Sequence, residues 1–492
     1  MAEQSRVDHV VQDILAQGDD VRAFHFKDQW YDWRWVRQFI EKLEAEIAGS
    51  GIAANESIGV APRNGPDFAA TLLSSIGRLR QIVMIYAYQS PEAIAGRIRD
   101  LDLALVVLAK SDCTDVVMDA AGQCGTAVIA VSIDGCEIVG KGDGKQHHPT
   151  PPVPGIELLT SGTTGAPKHF LMTYPQLYRS MITENPTTTV SKTPGLHYYP
   201  FGNISGLYQL LPIVAVYRPV QMLDKFRIED WVKYVETYRP PALGMPTAGY
   251  RMALEADVDA NRLTSLKYFL TGASALDPNT HDEFVARYGR PILQSYGATE
   301  FGGVVAQMTI EDHQEFNGAK IRSVGRPWHG AKLRISDPAT GEELPSGEIG
   351  RIDVISPRMS DDWIETTDLG MIDEDGFLYH HGRLDGAIMR GGFKVVPETI
   401  STTLTAHPAI ATAAALGLPD QRLGEVPVIA YEVRPEFAPP AEDELAQFLA
   451  DRLPKPSLPV RYLRLDRMPR TPSLKIDLGA VRRAFEERQA SG

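Results

Sequence analysis

Cysteine is scarce: Cys113, Cys124 and Cys136 are the only three in 492 residues, and no two form a CxxC pair. An odd, scattered set gives neither a disulfide framework nor a thiolate zinc site. Positive charge is also short, with 49 Lys and Arg against 63 Asp and Glu and a formal net charge of −14. A net acidic surface repels a phosphate backbone, so nucleic acid is not an expected partner. Long apolar runs are missing too. The most apolar stretch, residues 206–223, is interrupted by Gln209, Pro212, Arg218 and Pro219, whereas a membrane span needs about 20 apolar residues. No integral membrane segment is expected. The first twenty residues carry charges through their apolar positions and no small-residue cleavage site, so no signal peptide is read and the expected location is cytoplasmic.

What remains is an ordinary globular composition, 43% hydrophobic and 23% charged. At roughly 150 residues per domain, the length suggests about three folding units. Val36, Phe39, Ile40, Leu43 and Ile47 recur at helical spacing before Gly49 and Gly51 stop the run. Short strand-like runs follow at Ser57–Ala61, Ile82–Tyr86 and Leu103–Leu108, with a helical stretch around Phe68–Ile76. Such alternation predicts an α/β architecture with a largely parallel sheet. Residues 141–154 read as a polar, Pro-rich loop. Beyond a Gly- and Arg-rich stretch at 382–397, strands are expected near Ile410–Leu416 and Val428–Val433. A helix at Glu442–Leu453 is expected to bury Leu445, Phe448 and Leu449. The pattern divides into a large N-terminal domain and a small C-terminal one, joined near Asp385.

The strongest local signal is Leu158-Leu159-Thr160-Ser161-Gly162-Thr163-Thr164-Gly165-Ala166-Pro167-Lys168. Hydroxyls, glycines and a lysine leaving an apolar strand offer backbone N–H groups, O–H donors and a cation to a polyphosphate. A flexible polar turn is the plain alternative. It is not a Walker A loop, which would need Gly at 167 and Ser or Thr at 169, where this chain has Pro167 and His169.

With that loop, the chain resembles the acyl-adenylate-forming superfamily of acyl-CoA synthetases, firefly-type luciferases and peptide-synthetase adenylation domains. Further motifs follow in the family's order: Gln294-Ser295-Tyr296-Gly297-Ala298-Thr299-Glu300, Thr366-Thr367-Asp368-Leu369-Gly370 and Gly382-Arg383-Leu384-Asp385. Gly391-Gly392-Phe393-Lys394-Val395-Val396-Pro397-Glu398 and Pro469-Arg470-Thr471-Pro472-Ser473-Leu474-Lys475-Ile476 complete the set. The resemblance spans nearly the whole chain. It implies the α/β fold of that superfamily: a large, multi-subdomain N-terminal domain (1–384) of mixed sheets and helices, a hinge at Asp385, and a small, mobile α+β C-terminal domain (386–492).

The chemistry implied is activation of a carboxylate by ATP. In-line attack on the α-phosphorus expels pyrophosphate and needs charge neutralisation more than covalent help. By resemblance, Thr160, Ser161, Gly162, Thr163, Thr164, Gly165 and Lys168 clamp the leaving phosphates. Glu300 is the Mg²⁺ carboxylate, since a hard cation takes oxygen ligands, and Thr299 donates to the α-phosphate. Tyr296 lies against adenine, flanked by Ser295 and Gly297, with Gly272, Ala273 and Ser274 on the other side of the base. Asp368 and Arg383 take the ribose, although singly they also suit a turn and a surface cation. Lys475 is the catalytic lysine of adenylation; an exposed lysine is the plain alternative. In a second domain orientation it gives way to Gly391 and Gly392, which admit the pantetheine arm of coenzyme A.

Four positions depart from the pattern: His169, Thr367 and Leu474 stand where glycine is usual, and Met389 where some aromatic-acid ligases have lysine. Leu474 restricts the backbone beside Lys475. Residues 197–207 correspond to the family's acid pocket, with Tyr198, Phe201 and Asn203 as lining candidates and Gly302 and Gly303 as a source of room. Gly202 stands where amino-acid-activating relatives place an Asp, and a buried ammonium without a counter-charge is costly. The expected substrate is therefore an apolar or ring-bearing carboxylic acid. The last 42 residues hold ten basic side chains against five acidic, which suits either the phosphates of coenzyme A or a solvated face. Coenzyme A is the expected acceptor, with a carrier protein or an amine as the alternative and a non-catalytic nucleotide binder as a third reading. A homodimer is compatible with the sequence.

Overall fold

The computed structural model describes residues 4–52, 56–143, 148, 150–160, 168–182, 193–272, 276–384, 386–390 and 393–490. Its internal contacts group into two compact units that meet in sequence between Tyr238 and Arg239.

The first unit is built on a seven-stranded sheet in the order Gly135–Gly140, Ala127–Ser132, Leu105–Ala109, Ile58–Ala61, Ile82–Met84, Gly155–Thr160, Lys168–Thr173. The five central strands are parallel and the two edge strands antiparallel. Strands covered on both faces are apolar throughout, and Ile58–Ala61 and Leu105–Ala109 are buried at every position. The expected strands are therefore present, but the one beginning at Ile82 ends at Met84, short of Tyr86. The helix Trp33–Gly49 buries Val36, Phe39, Ile40, Leu43 and Ile47. Asp32 caps it, accepting from the Trp35 N–H at 2.8 Å. A smaller sheet orders Gly195–His197, Val220–Met222, Arg22–Phe26 and Gln29–Asp32.

The second unit carries three sheets. One orders Ala242–Gly244, Tyr268–Thr271, Ile292–Ala298, Gly303–Gln307 and Arg326–Pro327; a four-stranded antiparallel sheet runs Lys332–Ser336, Gly350–Ser356, Ser360–Ile372, Leu378–Arg383. The C-terminal sheet centres on the antiparallel pair Ile410–Asp420 and Gly424–Val433. Period-two alternation sends Ala413 and Ala415 to a core with Ile400 and Leu404, and Ala414, Leu416 and Leu418 to another with Val481 and Phe485. The helix Glu442–Ala450 buries Leu445 and Leu449 but not Phe448. Phe448 is half-buried instead, its ring covered by Arg452 at 3.8 Å and met edge-on by His407 at 4.9 Å. Aromatic and cationic faces satisfy it without a core. No helix among the described residues is long and apolar enough to cross a membrane.

Candidate active site

Asp368 lies within the strand Ser360–Ile372, paired in register with Arg383 on the strand Leu378–Arg383. Its carboxylate is served on both oxygens. Tyr296 donates its phenol to Oδ2 at 2.6 Å, while Arg383 Nε and His380 Nε2 stand 3.7 and 3.8 Å from Oδ1. Burial alone would raise the Asp368 pKa, but His380 and Tyr296, with the charge of Arg383, outweigh it and hold the carboxyl below its usual range. Burial, and then the Asp368 charge, hold the Tyr296 phenol far above its ordinary value, so it stays a donor. Oδ1, with neighbours beyond hydrogen-bond length, is the oxygen left to accept from an outside hydroxyl.

His380 was not singled out by its sequence. The Gly382 N–H donates to its Nδ1 at 3.3 Å, which leaves the proton of the neutral ring on Nε2, facing Asp368. Its ring lies 5.7 Å from that of Tyr296. The adjacent pair His380-His381 in a strand ending at Arg383 was the one available signal. Thr367, noted as a departure from glycine, accepts from Arg383 Nη2 at 2.7 Å.

The strand Ile292–Ala298 delivers Ser295, Tyr296 and Gly297, then turns through a 3₁₀ segment, Thr299–Phe301, into the strand Gly303–Gln307. Phe301 is 2% exposed and its carbonyl accepts from the Ser356 hydroxyl at 2.7 Å. That anchor leaves Thr299 and Glu300 half-buried on the turn. Gly302 and Gly303 have φ +67° and +116°, so the turn itself demands glycine at both. A Cβ on Gly272 would come within 2.5 Å of Ser295 Oγ, which explains a glycine at the end of the neighbouring strand. Ala273 and Ser274 lie outside the described residues, as do Gly391, Gly392 and Asp385. Among the described residues, no group of three His, Cys, Asp or Glu side chains gathers as a metal cage.

Lys475 belongs to the same unit. It follows a tight turn in which Leu474 N–H donates to Thr471 O and Thr471 N–H to Lys475 O, each at 2.7 Å. Arg470 Nη1 donates to Leu474 O at 3.0 Å. Leu474 has φ +63°, the left-handed region that a side chain rarely enters. Lys475 itself is exposed. Burial first, and then the charge of Arg383, hold its pKa below the ordinary lysine value.

In the first unit, the strands Gly155–Thr160 and Lys168–Thr173 pair with Thr160 opposite Lys168, so the ends of the phosphate-loop candidate are held side by side. Ser161, Gly162, Thr163, Thr164 and Gly165 lie outside the described residues. Tyr198 and Phe201 are buried, and Asn203 is half-buried before the helix Ile204–Ala215. Asn64 braces this segment: its Oδ1 accepts from Phe201 N–H at 3.3 Å, and its Nδ2 donates to Tyr198 O and Leu223 O at 3.3 and 3.2 Å. Phe201 packs on His197, ring centroids 4.3 Å apart, and burial pushes the His197 pKa down to about 3. A Cβ on Gly202 would meet Tyr86 Cδ2 at 3.7 Å, making Tyr86 a neighbour that the sequence did not suggest.

The profile of the AMP-binding enzyme family matches residues 11–361, and that of the AMP-binding enzyme C-terminal domain matches residues 400–475. This chain belongs to the AMP-binding enzyme family. It is an acyl-adenylate-forming enzyme of the acyl-CoA synthetase type. Among AMP-binding enzymes, it is 29% identical over 367 residues to the fatty acid–[acyl-carrier-protein] ligase ScoC of Streptomyces coeruleorubidus, covering 70% of this chain and 69% of that one. It is 26% identical over 504 residues to 4-coumarate–CoA ligase 3 of Oryza sativa subsp. japonica, covering 94% and 88%. An ATP-bound RpMatB-BxBclM chimera superposes with a TM-score of 0.81 at 21% identity over 98% of this chain and 99% of that one, a likeness of fold. The family's mixed α/β architecture, a large N-terminal domain and a small C-terminal one, is the fold of this chain.

Proposed function

We propose that this AMP-binding enzyme joins a carboxylic acid to coenzyme A in two steps. The substrate carboxylate attacks the α-phosphorus of ATP, the bond to the β-phosphate breaks, and pyrophosphate leaves. The coenzyme A thiolate then attacks the acyl carbon, the carbon–oxygen bond to AMP breaks, and a thioester and AMP are released.

The observation that supports this reading is the gathering of Tyr296, His380 and Arg383 on the Asp368 carboxylate, with the charge of Arg383 also felt at Lys475. In this reading Asp368 Oδ1 accepts from a ribose hydroxyl, and Arg383 donates to the same sugar. Lys475 bridges the acid carboxylate and the α-phosphate, where a cation favours the crowded anionic transition state. Glu300 suits Mg²⁺: a single half-buried carboxylate, with phosphate and water completing the shell, is the usual way a protein holds that ion. When bound, Mg²⁺ neutralises phosphate charge. The loop Thr160–Lys168 holds the leaving phosphates, and Asp385 serves as the hinge on which the C-terminal domain turns between the two steps.

The acid is apolar or ring-bearing. Gly202 brings no carboxylate for an ammonium, and His197, neutral at working pH, brings no charge of either sign. A second reading, transfer to a carrier protein, is favoured by the likeness to ScoC, whose name specifies that acceptor.

Pyrophosphate release measured with aliphatic, aromatic and polycyclic acids, each with and without coenzyme A, tests this reading. Turnover that requires coenzyme A and yields AMP and a thioester is the expected result. Slow release unaffected by coenzyme A would refute thioester formation with it and favour the carrier protein.

A further inference from the structure

Thr367 stands directly before Asp368, and its side chain has a defined partner. Its Oγ1 accepts from Arg383 Nη2 at 2.7 Å. The same guanidinium turns Nε toward Asp368 Oδ1, 3.7 Å away. The sheet register makes this possible, because Asp368 and Arg383 are directly paired, and Leu384 N–H donates to Thr367 O at 2.5 Å. An arginine side chain 36% exposed has many rotamers open to it. One that must meet a ligand in a single geometry loses that freedom on binding unless the protein has already removed it. A glycine at 367 could not hold the guanidinium.

We infer that Thr367 is a positioning residue of this enzyme, its hydroxyl fixing the Arg383 guanidinium beside Asp368 before the nucleotide arrives. The inference rests on the reading of Arg383 as a nucleotide contact. Its signature is a loss in ATP binding rather than in the chemical step, because the hydroxyl touches Arg383 and not the reacting atoms.

Thr367→Val keeps the branched shape that suits a strand but removes the hydroxyl that accepts from Arg383, while Thr367→Ser keeps that hydroxyl. In ATP–pyrophosphate exchange, Thr367→Val should raise KM for ATP about fivefold with kcat within about twofold, and Thr367→Ser should stay within about twofold on both. On an Arg383→Gln background, Thr367→Val should add nothing further, because the two residues act as one unit. Equal behaviour of the Val and Ser variants would overturn the inference, as would a Val effect that persists in full without Arg383. If the Val variant fails to fold, Thr367→Gly against Thr367→Ser carries the same comparison, glycine likewise lacking the hydroxyl. Arg383→Gln alone separates the two failures. A raised KM for ATP there with no effect of Thr367→Val defeats the Thr367 role only, whereas an unchanged KM for ATP defeats the nucleotide reading of Arg383 and the inference together.

Discussion

Asp368 sits in a thirteen-residue strand with neighbours on both carboxylate oxygens, whereas Lys475 follows a turn whose last residue, Leu474, is held at φ +63°. The first region is fixed by long-range sheet pairing and a buried phenol. The second is fixed by a few local hydrogen bonds and carries backbone strain. A nucleotide must stay put through both half-reactions, so its holder gains from rigidity. On the proposed two-step reaction, a lysine needed for one half-reaction and in the way of the other would gain from sitting on a small, separable element. The two regions therefore differ in the way the tasks proposed for them differ.

The largest break in that contrast is Lys475→Ala. Acyl-adenylate formation should fall by about 10²- to 10⁴-fold, the range for removing a group that stabilises charge in the transition state. Thioester formation from supplied acyl-AMP should change by less than about threefold. Rapid-quench assays of the separate half-reactions measure both. Equal losses in the two would refute the division of labour between the regions.

A smaller effect tests the electrical link between them. In the proposed adenylation step Lys475 acts as the ammonium, and its pKa is lowered by burial and then by Arg383. As pH rises through that lowered pKa the ammonium is lost. The alkaline limb of kcat/KM for adenylation should therefore fall below the roughly 10.4 of an ordinary lysine. Arg383→Gln removes the neighbouring positive charge, so the limb should move to higher pH, while burial keeps it below the ordinary value. A limb that stays where it was, or moves to lower pH, would separate Arg383 from Lys475.

How much of this was legible in the sequence follows from the range of each interaction. The buried parallel strands were readable because Leu105–Ala109 and its neighbours are apolar at every position. Ser360–Ile372 was not, because its side chains are mostly half-exposed and show no clean alternation; Asp368 was found through its motif instead. Tyr296 and Asp368 are 72 residues apart, and no local pattern predicts that bond, nor the approach of His380 to the same carboxylate. Phe448 was misjudged because helical spacing places it beside Leu445 and Leu449 but does not report that Arg452, one turn on, covers its ring. The positive φ angles of Gly302 and Gly303 show a backbone demand for glycine in the turn that carries Glu300, one that their lack of side chains alone does not report.

The finest test concerns Leu474, where sequence and backbone disagree. A left-handed conformation costs an L-residue roughly 1–2 kcal/mol because Cβ approaches the following carbonyl oxygen. Glycine escapes that cost, and asparagine escapes part of it. If backbone strain dominates at this position, Leu474→Gly should stabilise the protein by about 1 kcal/mol, with Leu474→Asn between it and the parent and Leu474→Ala no better than the parent. The turn closed by the Thr471 and Lys475 hydrogen bonds would then be more populated, and adenylation should rise by a few-fold at most. Denaturant midpoints of the three variants, set beside their exchange rates, give the ranking. The reverse order, with leucine best and glycine worst, would mean that packing of the half-buried Leu474 side chain outweighs the strain. The lysine turn would then be held, like the Asp368 strand, by contacts rather than by conformation.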